Sequence, residues 1–280
     1  MMEKFASSWE LMRASWEILK KDREILLFPL ISGVVLILVT ASFIAPLFAL
    51  GISGRSLLSE GSHAVNLVIV FLFYFICYFV IIFFNCAIIA CATIRMNGGD
   101  PTVSDGLRAA FSFISEIAAW ALVSATVGLI LRAIAERSKL LGKIIASLLG
   151  MAWSVTSFLV IPVLVNEGKG PVEAFRRSVH LLKKTWGEEL IGTFSFGLAF
   201  SVLGLPAAGL YFLSVISGKG ALALGFMVLT ALYLIILSVF QSALQGIFQA
   251  ALYQYARTGE APAGFEKDLL GDAIQPKYYG

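Results

Sequence analysis

The chain has 280 residues, of which 59% are hydrophobic and only 14% are charged, and its mean hydropathy is +0.87. A soluble domain is about half apolar and about a quarter charged, so this composition excludes a large soluble surface and indicates an integral membrane protein. The net charge of +3 is too small to favour nucleic acid as a partner.

Six uncharged apolar stretches follow the N-terminal tail, and each predicts a membrane-spanning helix. They cover residues 25–54, 61–94, 117–131, 144–166, 190–218 and 220–256. A spanning helix needs about 20 apolar residues. The third stretch is shorter, but Arg132 can snorkel and extend that helix to about residue 135. The stretches are continuously apolar, which excludes the alternating strands of a β-barrel. The predicted fold class is therefore all-α, a polytopic membrane protein with six transmembrane helices.

The basic residues predict the orientation of these spans. Most of the 21 lysine and arginine residues lie in the N-terminal tail, the second and fourth loops and the C-terminal tail. Basic loops stay inside, so we expect both termini to be cytoplasmic. The third loop opposes this bias with Arg132, Arg137, Lys139 and Lys143. Either the overall bias outweighs this loop, or the second hairpin, residues 117–166, does not cross the membrane completely.

One short basic sequence occurs twice, as WELMRASWEILKK at 9–21 and VEAFRRSVHLLKK at 172–184, with a weaker copy, SDGLRAA, at 104–110. Each copy precedes a pair of spans, and each pair ends in Gly-x-x-Pro, whose glycine favours a left-handed helix cap. These motifs are Gly98–Pro101, Gly168–Pro171 and Gly259–Pro262. The order predicts a single membrane domain, 1–280, of three pseudo-repeats that each join an interfacial helix to a transmembrane hairpin. The repeats cover 5–101, 102–171 and 172–262, and a tail covers 263–280.

The copies of the basic sequence predict amphipathic helices that lie flat in the cytoplasmic headgroup layer. The apolar residues recur at helical spacing, as Trp9, Met12, Trp16 and Leu19 in one copy and as Val172, Phe175, Val179 and Leu182 in another. Arg13, Arg108 and Arg176 occupy equivalent positions, each three residues after an acid and within reach of an ion pair. Two interpretations stay open. The helices fix the topology of the spans, or the three arginines form a site for anionic lipid headgroups or for a partner protein.

Four segments resemble a family of uncharacterised six-helix prokaryotic integral membrane proteins. They read ELMRASWEILKKDREILLFPLIS, FFNCAIIACATIRMNGGDPTVSDGLRAA, LVIPVLVNEGKGPVEAFRRS and ALYQYARTGEAPAGF. More loosely, the layout is similar to the membrane domain attached to some glycerophosphodiester phosphodiesterases. The sequence shows no phosphodiesterase domain, so that activity does not carry over. The resemblance implies a multi-pass protein of the prokaryotic cell (inner) membrane, and it supplies no functional residues.

Catalytic motifs are weak, and we expect no enzyme activity. Gly51-Ile52-Ser53-Gly54 matches the G-x-S-G motif of rhomboid proteases, but a serine nucleophile needs a base within hydrogen-bond reach. His63 lies in the same loop, and His180 is predicted on the other side of the membrane. The three cysteines, Cys77, Cys86 and Cys91, lie in one apolar run without a C-x-x-C motif. We therefore expect no catalytic residue, no cofactor and no metal.

The last span carries a polar stripe, Gln241, Gln245 and Gln249, which Tyr253 continues, and Asn85 lies in the second span. Amides in hydrocarbon need partners, so this face should point into the bundle. It either bonds helices together or lines a polar path or ligand pocket. We therefore expect a non-enzymatic protein that binds or translocates a lipid or other hydrophobic small molecule. The alternative is a membrane scaffold or partner-binding subunit without a ligand.

Overall fold

The computed structural model describes residues 2–49, 63–137, 140–186, 196–218 and 220–265, and every regular element in these residues is helical. The helices are α1 (Met2–Lys21), α2 (Leu27–Ala49), α3 (His63–Met96), α4 (Val103–Ser112), α5 (Ile114–Arg137), α6 (Leu141–Thr156), α7 (Val160–Glu167), α8 (Pro171–Trp186), α9 (Phe196–Leu203), α10 (Leu205–Ile216) and α11 (Ala221–Thr258). A short 3-10 turn, Arg23–Leu26, joins α1 to α2. The predicted all-α class is confirmed for this part of the chain.

Five helical segments of the described chain are long and apolar enough to cross a membrane. They are Arg23–Pro46, Leu67–Met96, Ile114–Arg137, Leu141–Glu167 and Ala221–Thr258. The third and fourth segments form the predicted second hairpin, and both have sufficient length. The predicted span at 190–218 is described from residue 196 onward, where α9 and α10 are short helices separated at Gly204.

Large apolar side chains cover the outside of these segments. Leu222, Val68 and Ile37 are each more than 60% exposed, and many other exposed leucine, isoleucine and valine residues accompany them. An apolar surface of this extent is unstable in water and is stable against lipid tails. The protein is therefore a multi-pass membrane protein.

The chain forms two compact units, each assembled from separated segments. The first unit contains the chain up to Pro29, Cys91–Thr102 and the chain from Leu181 onward. The second unit contains Leu30–Ala90 and Val103–His180. Of the helices predicted to be interfacial, α1 belongs to the first unit and α4 belongs to the second.

In the first unit, α1 packs against α9 and α11. The N-terminal half of α11 is mostly exposed, whereas its C-terminal half is buried, with Ile247, Ala251 and Leu252 inaccessible to solvent. As a straight helix of 38 residues, α11 is about 57 Å long, well beyond a hydrocarbon core of about 30 Å. The buried half holds the core of this unit, so only the other half has a surface suited to lipid.

In the second unit, α5 packs along α6, and an aromatic cluster joins both helices to α8. The ring centroid of Trp153 lies 5.4 Å from that of Trp120 and 5.4 Å from that of Phe175. The Trp120 and Phe175 centroids are 6.1 Å apart, and all three rings are within 29° of parallel. Stacked pairs at this spacing add about 0.5–1.5 kcal/mol each beyond the area they bury. The cluster therefore holds α8 against the two spans.

The three Gly-x-x-Pro motifs share one backbone conformation at their glycine. The φ angles are +85° at Gly98, +62° at Gly168 and +76° at Gly259. Gly168 and Gly259 cap α7 and α11, and Gly98 lies in the turn after α3. These angles confirm the predicted left-handed conformation of the three glycines. Glycine suits these positions because a residue with a Cβ atom is strained at this φ.

Candidate functional site

The three arginines at equivalent positions lie on the three helices that were predicted to be interfacial, Arg13 on α1, Arg108 on α4 and Arg176 on α8. All three side chains are exposed. Within the described part of the chain, none of the three guanidinium groups makes a hydrogen bond or an ion pair. The ion pairs expected with the acids three residues earlier are therefore not formed. Three exposed cations remain available to an outside anion.

Two neighbouring cations, Lys20 on α1 and Arg177 on α8, are paired. On α1, Lys20 donates to Glu17 over 2.7 Å, and this hydrogen bond lowers the pKa of the Glu17 carboxyl. On α8, Arg177 Nε lies 3.1 Å from a carboxylate oxygen of Glu167, whose other oxygen is 3.0 Å from Lys169 Nζ. These carboxylates are paired with cations other than the three equivalent arginines, although Arg13 also contributes to the lowered pKa of Glu17.

The interfacial helices bury a face that differs in part from the one predicted. The fully buried residues at equivalent positions are Ser15, Ala110 and Ser178, each 0% exposed. Of the expected apolar face, Met12 and Leu19 on α1 and Leu182 on α8 are buried, whereas Trp9 and Trp16 are 47% and 39% exposed. The predicted apolar face is therefore only partly buried within the protein. The exposed large apolar residues share the outer face with the arginine.

The same outer composition recurs on the other two interfacial helices. Phe111 on α4 is 60% exposed, and Val172 on α8 is 61% exposed. Each lies one turn along its helix from the unpaired arginine. Exposed apolar residues beside a cation are typical of a helix in the headgroup layer of a membrane.

Ser178 on α8 is hydrogen-bonded into the gap between α6 and α7. Its hydroxyl donates to the carbonyl of Thr156 over 2.8 Å and accepts from the amide of Leu159 over 3.2 Å. At the equivalent position of α1, Ser15 donates instead to Leu11 of its own helix over 3.0 Å. The sequence repeat marked this position, but only the tertiary structure shows its two different uses.

A charged cluster in the first unit was not predicted. Arg95, in the last turn of α3, donates from Nε and Nη2 to the two carboxylate oxygens of Asp22, and Nη2 also bonds Asp100. Asp22 is only 6% exposed, and its carboxylate bonds Arg95 without capping the following turn. The sequence feature that could have predicted this pair is an acid directly before the first span together with an arginine at the end of the second span.

The amides follow the predicted stripe along α11. Gln241 and Gln245 are half-buried, whereas Gln249 and Tyr253 are buried in the first unit and have interaction partners. Asn85 is half-buried on α3 in the second unit and also has a partner. Packing and hydrogen bonding thus account for the inner end of the stripe. A shared pocket with Asn85 stays a prediction.

The described cavities and clusters do not add a catalytic arrangement. An open apolar groove runs along one helix, α2, and is lined by Leu36, Ile37, Thr40, Ala41, Ile44 and Ala45. Ser53 lies outside the described residues, and His63 is the first residue of α3. Within the described ranges, no three His, Cys, Asp or Glu residues are grouped so that they could hold a metal ion.

The comparison with protein families matches residues 64–265 to the family of unknown function DUF6159. The chain belongs to this family. The DUF6159 match includes α4 and α8, with Arg108 and Arg176, and begins after α1. No curated protein matches the chain significantly. Membership of DUF6159 agrees with the expected uncharacterised family and transfers no activity.

Proposed function

We propose that this protein is a non-enzymatic integral membrane protein that binds or translocates a lipid or other hydrophobic small molecule. In this proposal, Arg13, Arg108 and Arg176 hold anionic lipid headgroups on the cytoplasmic side. The observation that carries the proposal is that all three arginines are exposed and unpaired, although Lys20 on α1 and Arg177 on α8 are paired. No cofactor, metal or nucleic acid takes part.

The chemistry of the outer faces supports an anionic headgroup. A guanidinium presents several N–H donors in a planar fork that fits two phosphate oxygens. Each cation near an anionic membrane surface contributes about 1 kcal/mol. Trp9 and Trp16 lie on either side of Arg13 along the helix, and indole rings favour the boundary between headgroups and acyl chains. The three helices therefore offer both a charge for the phosphate and apolar contacts below it.

The topology is part of the proposal. We infer six spans in three pseudo-repeats, with both termini in the cytoplasm of a prokaryote and the spans in its inner membrane. Equal burial at Ser15, Ala110 and Ser178 supports the repeat, as do the left-handed glycines of the three motifs. The concentration of basic residues in alternate loops supports the orientation.

The alternative is a scaffold or partner-binding subunit without a ligand. It is favoured by the inner end of the amide stripe, where Gln249 and Tyr253 are packed and partnered within the first unit. A ligand path along this stripe needs accessible amides, which Gln249 does not offer. The lipid proposal therefore depends on the arginines and not on this stripe.

The test compares two sets of variants that remove the same number of positive charges. The test variant combines Arg13→Gln, Arg108→Gln and Arg176→Gln. The control combines Lys20→Gln, Arg132→Gln and Arg177→Gln, whose cations are paired with acids. Binding of phosphatidylglycerol and of phosphatidylcholine is measured by native mass spectrometry of the protein released from nanodiscs.

The proposal predicts that the test variant binds phosphatidylglycerol about fivefold more weakly at each of the three sites, because each site loses one contact of about 1 kcal/mol. The control variant should lose less than about twofold at each site, because its cations already have partners. Phosphatidylcholine binding should change little in either variant. Equal losses in both variants, or none in the test variant, would leave the arginines with a role in topology alone and would favour the scaffold.

A further inference from the structure

The fourth span is interrupted between α6 and α7, about two turns before it ends at Glu167. The backbone there forms hydrogen bonds to the third preceding residue in place of the fourth, as in a 3-10 helix. The amide of Phe158 donates to the carbonyl of Val155 over 3.1 Å, and the amide of Val160 donates to the carbonyl of Ser157 over 3.0 Å. Pro162, in the first turn of α7, has no amide hydrogen to continue the preceding helix. Breaks of this kind concentrate bending in a few residues.

Ser178 completes the hydrogen bonding at this break. Leu159 and Ser178 are both inaccessible to solvent, so the Leu159 amide depends on a protein partner. The Ser178 hydroxyl accepts this amide and donates to the Thr156 carbonyl. One hydroxyl from α8 thus links the two sides of the interruption.

The same turn of α8 presents Arg176 to the outside. Phe175 stacks on Trp153 of α6, Arg176 is exposed, and Ser178 bonds the break. These residues lie within four consecutive positions, so a displacement of α8 moves all of them together. Neither other interfacial helix has this link, because α4 carries Ala110 at the equivalent position and Ser15 bonds its own helix.

We propose that α8 couples headgroup binding at Arg176 to the conformation of the fourth span through the Ser178 hydroxyl. This inference rests on the proposed function, because it assigns regulation to one of the three headgroup sites. An anionic headgroup on Arg176 holds α8 in the position where Ser178 closes the break. Coupling between binding and conformation is reciprocal, so loss of the Ser178 bond also weakens headgroup binding.

Hydrogen exchange of the full-length protein in nanodiscs tests this coupling. The readout is exchange of the Leu159 amide, followed by mass spectrometry in peptides from the segment 157–165. Phosphatidylglycerol nanodiscs are compared with phosphatidylcholine nanodiscs, and lipid binding is measured separately on the same samples. The expected result for the native protein is exchange about fivefold slower in phosphatidylglycerol, the low end of typical coupling.

Three variants test which residues the lipid dependence of Leu159 exchange requires. Arg176→Gln should remove the lipid dependence at Leu159, whereas Arg13→Gln, on α1, should keep it. Ser178→Ala should speed exchange in both lipids and lower affinity for phosphatidylglycerol, although Ser178 itself faces the protein. If Ser178→Ala does not fold, the arginine pair still decides, because both variants retain Ser178.

The outcomes separate this inference from the proposed function. Phosphatidylglycerol that binds without changing Leu159 exchange overturns the coupling and leaves headgroup binding intact. Equal lipid dependence in Arg176→Gln and Arg13→Gln also overturns it. Absence of phosphatidylglycerol binding to the native protein overturns both proposals. Lipid dependence that is lost in Arg176→Gln and kept in Arg13→Gln supports the coupling.

Discussion

Replacement of Asp22 by asparagine tests how much the buried ion pair with Arg95 stabilises the first unit. The substitution preserves the shape of the side chain and removes its negative charge. Arg95 then loses a bidentate, charge-assisted pair, while its bond to the exposed Asp100 remains. We expect Asp22→Asn to lower the free energy of unfolding.

The magnitude follows from the burial of the two partners. Removal of one partner from a buried pair typically costs about 3–5 kcal/mol. Asp22 is 6% exposed, but the Arg95 side chain is 22% exposed and is partly screened by solvent. We therefore expect a loss of about 2–3 kcal/mol. The matched control is Asp100→Asn, because Asp100 bonds the same arginine but is 91% exposed, and we expect it to cost less than about 1 kcal/mol.

Unfolding in mixed micelles, with a rising fraction of denaturing detergent, measures both values. A double-mutant cycle of Asp22→Asn with Arg95→Gln isolates the pair, and we expect a coupling energy of about 1–3 kcal/mol. If Asp22→Asn and Asp100→Asn lower the free energy of unfolding equally, or if the coupling energy is near zero, the pair does not stabilise the first unit in this way.

Three further predictions concern packing and backbone geometry. Gly99→Ala should cost about 1–3 kcal/mol in the same unfolding assay, because its Cβ would lie 2.7 Å from Ile94 Cγ2, whereas Gly33→Ala should not destabilise, because its Cβ would meet nothing within 4 Å. Gly259→Ala should cost about 1–2 kcal/mol from left-handed strain at φ +76°, and an unchanged unfolding midpoint would contradict this. Gln249→Leu should lower stability by about 1–3 kcal/mol, because Gln249 is buried and the substitution removes the polar interaction of its amide, and Gln241→Leu should change it by less than half as much. If thermal unfolding ranks the two glutamine variants in the opposite order, the buried end of the stripe has no structural role.

The sequence predicted the helices well because hydropathy and helix-ending signals are local. Continuous apolar runs predicted the long segments, and α5 reaches Arg137, as the extension beyond 117–131 required. The left-handed conformation of Gly98, Gly168 and Gly259 also followed from motif and position. The expected span at 190–218 remains a prediction, since the described helices α9 and α10 are short.

The arrangement of the candidate site was predicted only in part. The repeat identified Arg13, Arg108 and Arg176, but it also suggested ion pairs that do not form. Which carboxylate binds which cation depends on side chains brought together by folding. On α8, Arg177 forms an ion pair with Glu167, whereas Arg176, the residue that matches the repeat, forms none.

By itself, the sequence determined the membrane class, the all-helical class, the left-handed glycines and the positions of three equivalent arginines. These properties depend on residue type and on spacing within a few turns. The tertiary structure decided the pairing of Asp22 with Arg95, which are 73 residues apart, and the insertion of Ser178 at the break between α6 and α7. Such contacts depend on packing between distant segments, which no local pattern encodes.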